Sequence, residues 1–242
     1  MAIPENIATL CDRLANVTYE NLTKILHYHR AGSAERAQIL DDSHQNDIDH
    51  WMGGGTCFSI TWHLFQELQG MGYQPRLVMG HKRKARNIHC GLLCEGLFFD
   101  PGYLIFDPLP LPLAGQSAFF PLSPNTVELR RPTADNLELW TGSVSQPLKL
   151  RFEFPTHGVD ELEFQEHWRA SFHAEMMQYP VLNRLDRAQG IQYYFQKGNL
   201  VVRDSHGSRI QTIAPQDQVL VLSETFRLDP QLIQDALGTL RK

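Results

Sequence analysis

The strongest constraint on how this chain can fold is a β-hairpin pattern between residues 87 and 102. The sequence there reads NIHCGLLC, then the dipeptide EG, then LFFDPG. Two apolar runs that are separated by two residues, the second of them glycine, are typical of antiparallel strands joined by a tight turn. Such a turn predicts that Cys94 pairs with Leu97 and that Gly91 pairs with Asp100.

This register brings a histidine and a carboxylate to one face of the hairpin. His89 and Asp100 become diagonal neighbours, within reach of each other's side chains. The carboxylate can then hold one imidazole nitrogen, so that the other nitrogen faces outward as a base. A slip of one residue would put the two side chains on opposite faces. Asp107, which lies beyond the hairpin in FDPLP, is the rival partner for His89.

A cysteine stands at the start of the clearest helical pattern, in the stretch GGGTCFSITWHLF. The N-terminal end of a helix favours the thiolate form of Cys57, and glycines before it leave room for a substrate. For Cys57 alone, a buried cysteine that only caps a core helix is the competing interpretation. With His89 and Asp100, however, Cys57 completes the set that covalent acyl transfer requires, namely a nucleophile, a base and an orienting group.

Composition excludes several classes of partner. The 242 residues carry a formal net charge of −5, which gives no basic surface for nucleic acid, and no apolar run is long enough to cross a membrane. Four cysteines are too few for a disulfide framework, and the apolar run around Cys90 and Cys94 predicts core residues rather than zinc ligands. The start MAIPENIATL lacks the pattern of a signal peptide. We therefore expect a cytoplasmic protein with no metal, nucleic-acid or membrane partner.

The chain divides into three compositional regions, which together indicate an α+β fold. Residues 1–76 show mainly helical periodicity, residues 77–165 show short strands separated by glycine and proline, and residues 166–242 mix both types. Within the first region, the polar segment 41–50 is predicted to be a loop. Within the second, the proline-rich segment 106–124 is predicted to contain edge strands at most.

Several segments of the chain resemble the arylamine N-acetyltransferase family, which includes amide synthases. GGGTCF resembles the family's nucleophile motif R-G-G-aromatic-C-F-E, and YENL, at residues 19–22, resembles its F-E-N-L segment. NIHCGLL resembles its H-M-x-L-L strand, and FFDPGY resembles its Y-L-V-D-V-G-F-G segment. The resemblance places the family's Cys, His and Asp on Cys57, His89 and Asp100. It implies a helical bundle carrying the nucleophile (1–76), a β-barrel carrying His and Asp (77–165) and an α/β lid (166–242), around a cysteine-protease-like core.

The resemblance also implies a reaction. Such a protein would move an acetyl or other acyl group from a thioester, such as acetyl-CoA, through a Cys57 thioacyl intermediate to a small-molecule amine. No permanently bound cofactor is expected, because the acyl thioester is a co-substrate. The aromatic and small residues near the predicted triad would line the substrate site, namely Phe58, Gly102, Tyr103 and Phe106. The acceptor amine and the oligomeric state are left open.

The sequence departs from the family pattern around the nucleophile. Gly53 stands where the family has arginine, Thr56 where it has an aromatic residue, and Ser59 where it has glutamate. After Asp100, PGYLIFDPLP replaces the family's glycine-rich loop. Two alternative functions remain at this stage: a thiol hydrolase or amidase of the transglutaminase-like type, which passes the acyl group to water, and an inactive homologue that only binds ligands.

Overall fold

Helices dominate the first part of the chain and strands the middle, in a computed structural model that describes residues 3–82 and 85–241. The helices are α1 (Glu5–Ala15), α2 (Leu22–Ala31), α3 (Ala34–Asp41), α4 (His44–Trp51), α5 (Cys57–Gly70), α6 (Glu161–Ala170), α7 (Gln218–Phe226) and α8 (Pro230–Leu240). The strands are β1 (Tyr19–Glu20), β2 (Arg76–Lys82), β3 (Ala85–Cys94), β4 (Leu97–Asp100), β5 (Ile105–Pro110), β6 (Gln116–Phe120), β7 (Asn125–Thr133), β8 (Asn136–Ser143), β9 (Gln146–Pro155), β10 (Val181–Asp186), β11 (Ile191–Gln196), β12 (Asn199–Asp204) and β13 (Gly207–Thr212). The α+β class predicted from composition is confirmed.

Helix α4 takes up most of the segment 41–50 that the sequence predicts to be a loop, so that prediction is wrong. The helix is mostly polar and has little apolar periodicity of its own, but two of its side chains are buried. His44 stacks on His63 of α5 with ring centroids 4.6 Å apart. Asp47 lies 3.5 Å from Nε2 of the buried His27. These contacts with α5 and α2 stabilise a helix that local propensity does not predict.

The larger sheet has eight strands in the order β5-β4-β3-β2-β9-β8-β7-β6, and every neighbouring pair is antiparallel. Ile105 of the edge strand β5 and Leu129 of β7, which lies next to the other edge, pack in the same hydrophobic core. The sheet therefore curls on itself into a nearly closed barrel. Strands β5 and β6 are its two edges, which confirms the prediction for the proline-rich segment 106–124.

The predicted hairpin is formed by β3 and β4. Cys94 pairs with Leu97, as the two-residue turn requires, and the ladder continues as far as the pair Leu92–Phe99. It ends there because Pro101 begins a 3₁₀ turn over Pro101–Tyr103 that bends the chain away from β3. The register predicted at the turn is thus confirmed, whereas the predicted pair of Gly91 with Asp100 is absent from the described ladder.

The smaller sheet has five strands in the order β1-β10-β11-β12-β13, and it joins the N-terminal part of the chain to the C-terminal part. Tyr19 of β1 pairs with Asn183 of β10. The buried Asn21 side chain fixes this junction, because its carbonyl oxygen accepts from the backbone N–H of Val181 at 2.8 Å and its amide group donates to the carbonyl of Tyr179 at 2.9 Å. The junction sets Tyr19 beside the N-terminus of α5. Within the described ranges, no helix has the length and apolar character of a membrane span.

Candidate active site

The three residues of the predicted triad come together at one end of the barrel. Cys57 is the first residue of α5, His89 lies on β3, and Asp100 ends β4. Nε2 of His89 lies 2.8 Å and 2.9 Å from the two carboxylate oxygens of Asp100. Asp100 is fully buried and His89 is 6% exposed, so this pair is shielded from water. The buried carboxylate of Asp100 therefore fixes the orientation of the imidazole ring.

The local sequence explains why Asp100 faces His89. Pro101 turns the chain into a 3₁₀ turn, and the Asp100 carboxylate caps that turn by accepting from the backbone N–H of Tyr103 at 3.1 Å. The turn also brings Gly102 over the imidazole, with Cys57 next to it. A Cβ atom on Gly102 would lie 2.4 Å from Cε1 of His89 and 3.0 Å from Cβ of Cys57. Since Nε2 is engaged by Asp100, Nδ1 is the nitrogen on the side of the thiol.

The pKa values of His89 and Cys57 favour an ion pair between an imidazolium and a thiolate. Burial by itself would lower the pKa of His89, but the Asp100 carboxylate and the neighbouring Cys57 raise it to about 10. The pKa of Cys57 is lowered well below the usual value for a thiol, first by a hydrogen bond from the thiol of Cys90 and then by His89. A thiolate beside an imidazolium is the form in which cysteine is a strong nucleophile at neutral pH.

Two residues near Cys57 were not among the predicted site residues. Lys24 of α2 is buried, donates to the Ser171 hydroxyl and lies 4.4 Å from the ring centroid of Phe172. Burial lowers the pKa of Lys24, and its charge helps to lower the pKa of Cys57. Tyr19 borders the same cavity as His89. The YENL segment could have pointed to Tyr19 as a residue near the site, whereas no sequence pattern points to Lys24.

A cavity of about 410 Å³ opens beside His89, between the barrel and the five-stranded sheet. Gly102 and Tyr103, two of the predicted substrate-binding residues, line it. Phe58 and Phe106, the other two, lie in the hydrophobic core, 1% and 5% exposed, and neither borders this cavity. The cavity is large enough for a small aromatic or aliphatic molecule.

Asp107, the rival of Asp100, lies apart from the triad. Its side chain is 53% exposed and forms a salt bridge with Arg187. No contact joins it to His89 among the residues that the structure describes. The geometry therefore favours Asp100 as the residue that orients the imidazole.

The close packing at Gly102 leads to a testable expectation. Gly102→Ala would place a methyl group in the space of the imidazole edge, so we expect His89 to move and the rate of Cys57 acylation to fall by at least about 100-fold. Single-turnover kinetics with an acyl thioester measures this rate. Gly238→Ala is the matched control, because a Cβ there meets no atom within 4 Å. Equal rates for the two variants would contradict the geometry.

Glu20 and Ser59 hold the backbone in the stretch before Cys57, where the sequence departs from the family motif. The Glu20 carboxylate accepts from the backbone N–H of Gly55 at 3.0 Å and from the hydroxyl of Thr23 at 2.7 Å. A Cβ on Gly53 would lie only 2.7 Å from this carboxylate, so the space for a side chain at that position is filled. Ser59 accepts from the backbone N–H of Thr56 at 3.0 Å and thus caps the start of α5. Hydrogen bonds to the side chains of Glu20 and Ser59 therefore hold the backbone at Gly55 and Thr56, just before Cys57.

Glu20 should make stability depend on pH. Burial raises its pKa from 4.5 to about 7, so the folded state retains a proton that the unfolded chain releases above pH 4.5. The resulting stability is fully present below pH 4.5 and is lost as the pH rises through 7. We expect the difference in free energy of unfolding between the wild type and Glu20→Gln to change by about 3 kcal/mol over this range.

Denaturant titrations of both proteins at several pH values between 4.5 and 8 test this expectation. Other titrating groups, including the buried His27 and His89, are common to both proteins and cancel in the difference. Glu166→Gln, at an exposed position of α6, is the matched surface control. A difference that stays constant between pH 4.5 and 8 would show that Glu20 keeps an ordinary pKa.

Comparison with solved structures of known proteins identifies the fold. No protein-family model and no curated protein sequence matches the chain. Among solved structures, the arylamine N-acetyltransferase from Mycobacterium abscessus is similar with a TM-score of 0.76 and 16% identity, covering 98% of this chain and 88% of that one. The Mycobacterium marinum enzyme, solved in complex with CoA, is similar with a TM-score of 0.73 and 18% identity, covering 96% of this chain and 89% of that one. An arylamine N-acetyltransferase from Bacillus cereus with a Cys-His-Glu catalytic triad is similar with a TM-score of 0.68 and 16% identity, covering 93% of this chain and 91% of that one. This chain therefore has the arylamine N-acetyltransferase fold over nearly its whole length.

Proposed function

We propose that the protein is an acyltransferase that moves an acetyl or related acyl group from a thioester to a small-molecule amine by a ping-pong mechanism. The observation that carries this proposal is the buried set of Cys57, His89 and Asp100 beside a substrate-sized cavity. The fold supports it, because the structurally similar proteins named above are N-acetyltransferases.

The first half-reaction loads the acyl group onto the enzyme. The Cys57 thiolate attacks the thioester carbonyl, the carbon–sulfur bond of the donor breaks, and a new thioester forms at Cys57. The thiolate of the donor takes the proton from the His89 imidazolium and leaves as a thiol. Asp100 keeps Nε2 of His89 engaged, so that Nδ1 remains the nitrogen that handles the proton.

The second half-reaction releases the amide. An uncharged amine attacks the Cys57 thioester, neutral His89 takes the proton from the attacking nitrogen, and Cys57 leaves as a thiolate. This step restores the thiolate–imidazolium pair, so the cycle balances without a bound cofactor. The acyl donor is thus a co-substrate; the CoA complex of the Mycobacterium marinum enzyme supports a CoA thioester in that role.

We place this reaction in a reducing compartment such as the cytoplasm. All four cysteines are free, and a thiolate at Cys57 would be oxidised readily elsewhere. Formation of an amide in biosynthesis and acetylation of foreign amines both use the same two half-reactions, and the site geometry is compatible with either.

Intact-protein mass spectrometry after incubation with acetyl-CoA and a panel of other acyl thioesters tests the proposal. We expect a mass increase of one acyl group, located at Cys57 by peptide mapping. Added amines should then remove the acyl group as the amide. If the acyl group is released only to water at every amine concentration, the protein is a hydrolase; if no thioester loads Cys57, the acyltransferase proposal fails.

A further inference from the structure

The cavity beside His89 contains two arginines and no acidic side chain among its lining residues. Arg151 comes from β9 of the barrel and Arg203 from β12 of the five-stranded sheet, so the two approach the cavity from opposite walls. Both are partly buried. Half-buried cations are costly unless a negative charge compensates them.

Arg151 has no anionic partner in the described part of the chain. Its Nε donates to the hydroxyl of Thr141 at 2.6 Å, and this is the hydrogen bond that fixes the guanidinium. The described residues give it no salt bridge. Its two terminal NH₂ groups make no hydrogen bond to the described residues, so they keep their donors free for a ligand in the cavity that Arg151 lines, in the planar arrangement that suits a carboxylate.

Arg203 is held entirely by neutral acceptors. Its Nη1 donates to the side-chain oxygens of Asn125 at 2.9 Å and Gln192 at 3.2 Å, and its Nε donates to the Ser208 hydroxyl at 3.1 Å. Burial and then the charge of Arg151 lower the pKa of Arg203. The two guanidinium groups thus repel each other across a cavity whose described lining residues supply no counter-ion.

We infer that this cavity binds an amine substrate that also carries a carboxylate, with Arg151 and Arg203 on the carboxylate and the amine directed toward His89 and Cys57. The inference rests on the proposed acyl transfer, since it names the class of acceptor that the same site would take. One carboxylate would offset one of the two positive charges and accept hydrogen bonds from the free terminal NH₂ donors of both arginines. The volume of about 410 Å³ suits an amino acid or an aminobenzoate better than a whole CoA molecule.

A binding experiment that needs no catalysis tests this inference. Isothermal titration calorimetry of the wild-type protein without acyl donor compares 3-aminobenzoate with 3-aminobenzamide, which has the same shape and no charge. We expect the carboxylate to bind at least about tenfold more tightly, and Arg151→Gln and Arg203→Gln each to remove most of that preference. Arg209→Gln, a charge-matched change at an exposed residue of β13 outside the cavity lining, should leave it unchanged.

A second measurement follows the two half-reactions separately. In rapid-mixing experiments, Arg151→Gln should slow removal of the acyl group by 3-aminobenzoate at least about tenfold more than removal by 3-aminobenzamide, and Arg209→Gln should change neither rate. If Arg151→Gln slows loading by acetyl-CoA and spares loading by a short thioester without phosphates, the arginines serve the donor phosphates and the inference is wrong. Equal binding of carboxylate and amide also overturns it. If Cys57 never becomes acylated but the preference is present, only the proposed reaction fails.

Discussion

Replacing Asp100 by asparagine is expected to lower the rate of Cys57 acylation by about 10⁴-fold while leaving the fold intact, the magnitude that loss of the orienting carboxylate costs in other triad enzymes. Asparagine would keep the hydrogen bond from the Tyr103 N–H, so the 3₁₀ turn should persist. It would remove the negative charge that raises the pKa of His89. Its amide group would also donate to Nε2 and move the ring proton to Nδ1.

The matched variant for this experiment is Asp107→Asn, which changes the same functional group seven residues away. Asp107 is exposed and paired with Arg187, so its replacement should affect the acylation rate less than about threefold. Single-turnover kinetics gives the rates, and circular dichroism with thermal unfolding confirms that both variants fold. A larger loss of acylation rate in Asp107→Asn than in Asp100→Asn would show that Asp107, and not Asp100, orients His89.

Replacing Cys57 by alanine is expected to abolish acylation completely and to remove the fast-reacting thiol. The wild-type protein should be alkylated by iodoacetamide at Cys57 well below pH 8, because hydrogen bonds from Cys90 and His89 lower the pKa of this thiol. Burial raises the pKa of Cys11 to about 12, so Cys11 provides the internal comparison.

Peptide mapping after short exposure to iodoacetamide at pH 7 gives the labelled fraction at each cysteine. Cys11→Ala is the matched variant, and it should retain both the fast alkylation of Cys57 and the acylation by thioesters. A Cys57 that reacts no faster than Cys11 would indicate an inactive protein that has kept the fold for binding alone.

Local features of the sequence predicted much of the architecture. The dipeptide EG between two apolar runs determined the register at the turn, because a two-residue loop allows few arrangements of the flanking strands. Helical spacing behind Cys57 predicted α5 and put the thiol at its N-terminus. Polar α4 was missed, since it depends on contacts such as the one between His44 and His63.

The choice between residues of similar chemistry was decided by the tertiary structure. Both Asp100 and Asp107 precede proline, but only the 3₁₀ turn after Asp100 directs a carboxylate to His89. Phe58 and Tyr103 both lie near the triad in sequence, and packing buries Phe58 in the core while Tyr103 lines the cavity.

The sequence by itself predicted Cys57 as the nucleophile, His89 as its base and the hairpin that carries His89, because these predictions depend on short-range spacing and on the period of strands and helices. Only the tertiary structure brought Arg151 and Arg203 to one cavity and set Glu20 under the glycines before Cys57. Arg151 and Arg203 are 52 residues apart along the chain, and their approach depends on how the curled barrel packs against the five-stranded sheet. Local periodicity carries no information about that packing, so the sequence did not predict that the two arginines line one cavity.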